Sequence, residues 1–121
     1  NEQAAVAPSI VGVSIDGVER TIGSVVYPVG DWGGAAVRVR LSQELTGSIG
    51  RCKVVLMVAG QTAELDLLDK QLNGTLVTGS LTDQWTGFEE AALADVYVEV
   101  GATMMRAPFS IPNAATIGGL E

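Results

Sequence analysis

Apolar residues recur at every second position through most of this chain, and turn-forming residues interrupt the runs every few positions. Successive side chains of an extended strand point to opposite faces, so the alternation fits half-buried strands and excludes amphipathic helices, whose apolar positions recur every three or four. Ala35 to Leu41 has the cleanest pattern, with Val37, Val39 and Leu41 on one face and Arg38 and Arg40 on the other. Val11, Val13 and Ile15 alternate with Gly12 and Ser14, and Asp16-Gly17 suits a tight hairpin into Val18, Arg20 and Ile22. Pro28 cannot donate to a ladder, so Ser24 to Val29 reads as an edge strand or a strand end. Cys52, Val54, Leu56 and Val58 alternate with Lys53, Val55 and Met57, which makes this strand apolar on nearly both faces and places it in mid-sheet.

After the turn Ala59-Gly60-Gln61, Thr62 to Leu68 completes a hairpin with Ala63, Leu65 and Leu67 inward. Asn73-Gly74 turns the chain into Thr75 to Leu81, a short strand weakened by Gly79. Val96, Val98 and Val100 alternate with Asp95, Tyr97 and Glu99, and Gly101-Ala102 leads into a closing strand from Met104 to Ile111. Only Thr82 to Ala94 lacks the period. There Asp83 can cap a short helical turn, Glu89 to Leu93 is helix-compatible, and Trp85 and Phe88 plug the end of the core. Leu45 and Ile49, in the Ser42 to Gly50 loop, are expected to tuck under the sheet. The expected core is Val37, Val39, Val54, Leu56, Leu65, Val96, Val98 and Phe109.

These elements predict an all-β fold, an immunoglobulin-like antiparallel β-sandwich of seven or eight strands with one short helical turn. The expected organisation is an N-terminal arm over 1–8, the sandwich over 9–112, and a linker or stalk over 113–121, where Ile117 and Leu120 stand three apart like the first contacts of a helix. A first residue other than Met and an end in mid-pattern at Gly118-Gly119-Leu120-Glu121 suit a processed product or a piece of a longer polypeptide. The 121 residues suffice for one core, and their 47% hydrophobic content excludes a disordered tail.

Composition narrows the function further. A formal net charge of -7 is the wrong sign for phosphate backbones, so no nucleic-acid partner is expected. The longest dense apolar run, Val54 to Ala59, is far below the roughly 20 residues of a membrane span. With no His and one Cys, a Ser/His/Asp triad, a Cys/His dyad, a histidine zinc site and an intrachain disulfide are all impossible. Glu64, Asp66 and Asp69 are better read as solvated carboxylates than as a Ca²⁺ site, because the EF-hand spacing and its glycine are missing. Glu89 and Glu90 beside Trp85 are adjacent rather than opposed, as a glycosidase pair must be. Neither Gly12-Val13-Ser14 nor the Gly30 to Gly34 loop has phosphate-loop spacing. Neither a catalytic residue, a metal nor a cofactor is therefore expected.

The candidate functional residues are those suited to contact a partner. Trp32, between Asp31 and two glycines, is either a partner anchor on a loop or a plug at the core edge; Tyr27 and Trp85 could join it as a stacking platform for sugars. Arg38 and Arg40 can pair with acidic groups of a neighbouring subunit, or with Glu64 and Asp66 of the same sheet. With only 17% charged residues, some apolar groups are expected to meet another chain: Val55, Met57, Met104 or Met105, and Ile117 with Leu120. Cys52, between Arg51 and Lys53, is expected to be a small buried hydrophobe.

From Ala36 to Pro112 the order of elements resembles the N-terminal immunoglobulin-like domain of tailed-phage baseplate upper proteins and related virion fibres. The likeness rests on Ala36-Val37-Arg38-Val39-Arg40-Leu41, a segment like Leu67 to Leu81, the stretch Ala94-Asp95-Val96-Tyr97-Val98-Glu99-Val100, and the closing Ala107-Pro108-Phe109-Ser110-Ile111-Pro112. The resemblance implies a non-enzymatic virion part that attaches a fibre or tip to a capsid or baseplate. Its implied partners are other virion proteins and copies of itself, with a homotrimer favoured. The alternative class is an immunoglobulin-like adhesin or carbohydrate-binding module at the cell surface or outside the cell.

Overall fold

The computed structural model describes residues 7–82 and 89–107. Ten strands run through them: β1 (Ile10–Ile15), β2 (Val18–Arg20), β3 (Val26–Pro28), β4 (Ala36–Leu41), β5 (Ile49–Val58), β6 (Gln61–Asp66), β7 (Leu68–Asn73), β8 (Leu76–Ser80), β9 (Glu90–Val100) and β10 (Thr103–Arg106). No helix occurs among the described residues. The first sheet has the order β2-β1-β4-β8-β7; the second has the order β10-β9-β5-β6, with β3 also pairing with β9. Every strand pair is antiparallel. Between the sheets lies one core, in which Val13, Val37, Val39 and Val77 of the first meet Val54, Leu56, Leu93, Val96 and Val98 of the second.

The hairpins form where the sequence supplies residues that tolerate positive φ. Asp16 and Gly17 have φ values of 58° and 80° between β1 and β2, and Ala59 and Gly60 have 52° and 83° between β5 and β6. Both pairs suit the two-residue turn whose twist matches that of the strands. β4 buries every second residue, as its alternation predicts. Leu45 packs against the core from the β4–β5 connection, and Ile49 from the first position of β5.

Ten strands replace the expected seven or eight, and the differences have local causes. The strand read as Thr62 to Leu68 ends at Asp66; Leu67, 2% exposed, carries the chain from the second sheet to the first, where β7 begins. Asp69 has a φ of 55°, and the β7–β8 register shifts between Leu68 and Gln71, so this bulged strand has no clean alternation to read. The crossover needs Gly79 beneath it, because a Cβ there would stand 3.1 Å from both the Leu67 Cβ and the Leu68 carbonyl oxygen.

Glu89 to Leu93 is not helical. Residues from Glu90 onward belong to β9, which pairs with β3 on one side and β5 on the other, and this pairing overrides the local helix propensity of Ala91 and Ala92. The rest of the expected helical turn, with Trp85 and Phe88, lies outside the described residues, as do Phe109, the closing strand beyond Ala107, and the stalk. In β1 a register shift between Ile10 and Gly12 turns Val11 outward to 49% exposure and buries Ile10 beside Val13. Leu65, expected in the core, packs against its margin because β6 is an edge strand.

Candidate interaction surfaces

Trp32 is a plug at the core edge. It is 3% exposed, held in a tight turn where its amide donates to the Val29 carbonyl (3.0 Å) and its carbonyl accepts from Ala35 (3.0 Å). Tyr27 leans on it with ring centroids 6.1 Å apart. The Arg20 guanidinium lies over both rings, 4.9 Å from Trp32 and 5.0 Å from Tyr27, while its Nε and Nη2 donate to the Ile15 carbonyl. The Tyr27 hydroxyl accepts from the Thr21 amide at 2.8 Å. Trp32 as a loop-borne anchor is thus corrected, and the half-buried Tyr27 has Arg20 over its ring.

Arg38 and Arg40 stand on the exposed face of β4, but Glu64 and Asp66 belong to the other sheet. Arg40 instead forms a bidentate pair with Glu19 of β2, at 2.8 and 3.0 Å. The pair lies flat across Gly12, where a Cβ would meet the Arg40 Nη2 at 1.9 Å, so glycine is what opens this path across β1. The hydrogen bonds lower the Glu19 carboxyl below its usual range and raise Arg40. Arg38 makes no ion pair among the described residues.

The outer face of the second sheet carries a charged network over an apolar floor. Lys53 of β5 bonds Glu64 at 3.1 Å, and Arg106 of β10 meets Asp95 of β9 at 3.0 Å. Val55 lies below them in a recess shared with Arg51, Lys53, Glu64, Tyr97 and Arg106. It is 8% exposed, so the expectation that Val55 meets another chain is corrected: long charged side chains cover it. The Tyr97 hydroxyl donates to Glu99, whose other oxygen accepts from the Arg51 amide, and it also reaches the Met104 sulfur at 3.0 Å. That bond raises Tyr97 and lowers Glu99. Met104 is 66% exposed, whereas Met105 is 4% exposed and belongs to the core, which removes it as a contact.

At the other end of this sheet the outer face becomes apolar. Val26 of β3 stands opposite Ala92 of β9, and Ala92 opposite Met57 of β5, so three strands contribute one row. Val26 is 58% exposed and Met57 38%, and Ala92 is buried between them outside the central core. The row borders a shallow depression of about 670 Å³ whose charged member is Glu90. Met57 is therefore open; Val26 escapes a reading of the sequence because nothing in a three-residue strand signals which distant strand it will flank. A second depression of about 540 Å³, lined by Glu44, Thr46, Gly47, Leu72 and Gly74, is more polar.

Glu64 and Asp66 share the outer face of β6, while Asp69 has passed to the other sheet. Among the described residues, no three Cys, Asp or Glu side chains gather as metal ligands. Cys52 is buried, and burial pushes its thiol up to about 11. Glu89 precedes β9 and Glu90 opens it, and Trp85 lies outside the described residues, together with Ile117 and Leu120. Compared with known proteins, the chain matches no family profile, no curated protein and no solved structure.

Proposed function

We propose that the chain is a non-enzymatic assembly module, an immunoglobulin-like sandwich whose apolar shelf at Val26, Ala92 and Met57 packs against another copy of itself. The shelf carries this reading. A protein with a net charge of -7 repels its own copies, and the shelf is where they can approach with least repulsion, since among the described residues Glu90 is the one charged residue lining its depression. An apolar patch gathered around a cyclic symmetry axis also meets the same patch of its mates without needing a complementary surface elsewhere.

The strand order supports the immunoglobulin-like assignment. β1-β4-β8-β7 follows the A-B-E-D order of such sandwiches, and β10-β9-β5 follows G-F-C with β6 in the place of C′. The β1–β2 hairpin and β3 are additions to that frame. A virion fibre or baseplate location follows from the resemblance over Ala36 to Pro112, which also favours three copies. The non-enzymatic reading rests on the absence of His and on a single Cys turned into the core. A carbohydrate-binding module would need an open aromatic face, and Trp32 and Tyr27 do not offer one.

Light scattering tests this on the chain and on a Val26→Asp/Met57→Asp variant. The expected result is an oligomer at micromolar concentration that the substitutions convert to a folded monomer. A strictly monomeric parent, or a variant of unchanged mass, would overturn the proposal.

A further inference from the structure

Three of the seven cationic side chains meet at one corner of the sandwich, although the protein as a whole is strongly acidic. Arg51 and Lys53 are two apart on the outer face of β5. β6 accompanies β5 only as far as the Lys53–Asp66 pair; the Leu67 amide then bonds the Cys52 carbonyl at 2.8 Å and the chain leaves for the other sheet. Beside Arg51 the sheet consequently has no next strand on this flank. The opening is faced by β7, where the positive φ of Asp69 and the register shift around it leave Lys70 half-buried towards β5. The result is a cavity of about 290 Å³ lined by Arg51, Lys53, Lys70, Cys52 and Asp66.

At this corner Lys53 is paired with Glu64, and among the described residues the other two cations, Arg51 and Lys70, are without an ion pair. On the other side of Lys53, in the recess over Val55 that Arg51 also borders, Lys53 is paired with Glu64 and Arg106 with Asp95. Among the described residues Asp66 is the one carboxylate in the lining; Glu99, across β5, accepts from the Arg51 amide and feels the Arg51 charge, but it lies outside the cavity and holds the Tyr97 hydroxyl. Three cations lining one cavity with a single carboxylate repel one another, and an oxyanion relieves that repulsion while accepting charge-assisted hydrogen bonds from them.

We infer that the corner formed by Arg51, Lys53 and Lys70 is a binding site for a phosphate or sulfate group. The cavity is larger than a single tetrahedral oxyanion, so the group can arrive free or carried on a sugar.

The test is a titration of the isotopically labelled chain, followed by the amide resonances of Arg51, Cys52 and Lys70 and the Arg51 Nε–H. The probes are inorganic phosphate, glucose 6-phosphate and glucose 6-sulfate, with sodium chloride at matched ionic strength as control. Saturable shifts confined to this corner are expected. Lys70→Gln and Arg51→Gln should each weaken binding about tenfold, as loss of one charge-assisted contact implies. Lys70→Arg should retain it, and Asp66→Asn should tighten it several-fold by removing the competing carboxylate. Arg38→Gln, on the opposite sheet, should change nothing, and the same spectra show that each variant is folded. Tighter binding of the sugar esters than of inorganic phosphate identifies a carried group, and equal binding identifies the oxyanion alone. Shifts that do not saturate, that chloride reproduces, or that Arg38→Gln reduces as much as Lys70→Gln would overturn the site.

Discussion

The guanidinium of Arg20 lies 4.9 Å from the ring of Trp32 and closes one end of the sandwich over it. A cation over an indole face is worth about 0.5–1 kcal/mol when exposed and about 2 when desolvated, and Arg20 adds two hydrogen bonds to the Ile15 carbonyl. Trp32→Ala is expected to destabilise by about 3–5 kcal/mol, the range for deleting a large buried aromatic. Arg20→Lys, which loses the planar fork, should cost about 1 kcal/mol. Urea denaturation measures both, and a Trp32→Ala variant as stable as the parent would contradict the buried position.

Leu56 is fully buried on β5, between β6 and β9. Leu56→Ala should cost about 2–5 kcal/mol, read as a shift of the urea midpoint. Met104→Ala, on the exposed β10, should stay within about 0.5 kcal/mol of the parent. Equal effects at the two positions would mean that the inward face of the second sheet is wrongly assigned.

Cys52 supplies a probe of opening. Its thiol is pushed up to about 11 by burial, so at pH 8 about one thiol in a thousand is ionised, and the sulfur is shielded as well. Reaction with an aromatic disulfide reagent is expected to be negligible in the native protein and to follow the unfolding curve in urea. Rapid labelling of the folded protein would contradict this.

The Tyr97 hydroxyl bonded to the Glu99 carboxylate has a defined pH window. Glu99 is lowered from 4.5, first by that hydrogen bond, so its contribution is present above 4.5 and lost as pH falls through the lower folded value. Tyr97 is raised from 10.0 by the same bond, so its contribution is present below 10.0 and lost as pH rises through the higher folded value. Glu99→Gln should bring the ultraviolet titration of Tyr97 back towards 10.0. An unchanged midpoint would show that another group holds the phenol.

Much of the fold is legible in local pattern, and the exceptions share a cause. Ala36 to Leu41 alternates because one face of β4 is solvated, and Asp16-Gly17 turns because both residues tolerate positive φ. β7 is hidden by the bulge at Asp69, and the start of β9 by two flanking strands that bury Ala91, Ala92 and Leu93 in succession. The surfaces are harder still to read. Trp32 is fixed by Arg20, twelve positions earlier, and the shelf assembles Val26, Met57 and Ala92 from strands far apart in sequence. Met57 was visible because it shares a face with Lys53 and Val55 on one strand; which of the three would remain open depends on neighbours that only the folded sheet supplies.

Contact between copies through the shelf is tested most directly by the methionine methyl groups, since the three methionines occupy three environments. Met57 is on the shelf, Met104 is exposed at the far end of the same sheet, and Met105 is in the core. With a soluble paramagnetic probe in methyl-labelled protein, Met105 should be protected throughout and Met104 broadened throughout. The Met57 signal should be broadened in dilute protein and become protected as concentration rises through the micromolar range, but not in Val26→Asp. A Met57 methyl as accessible as that of Met104 at every concentration would contradict the account.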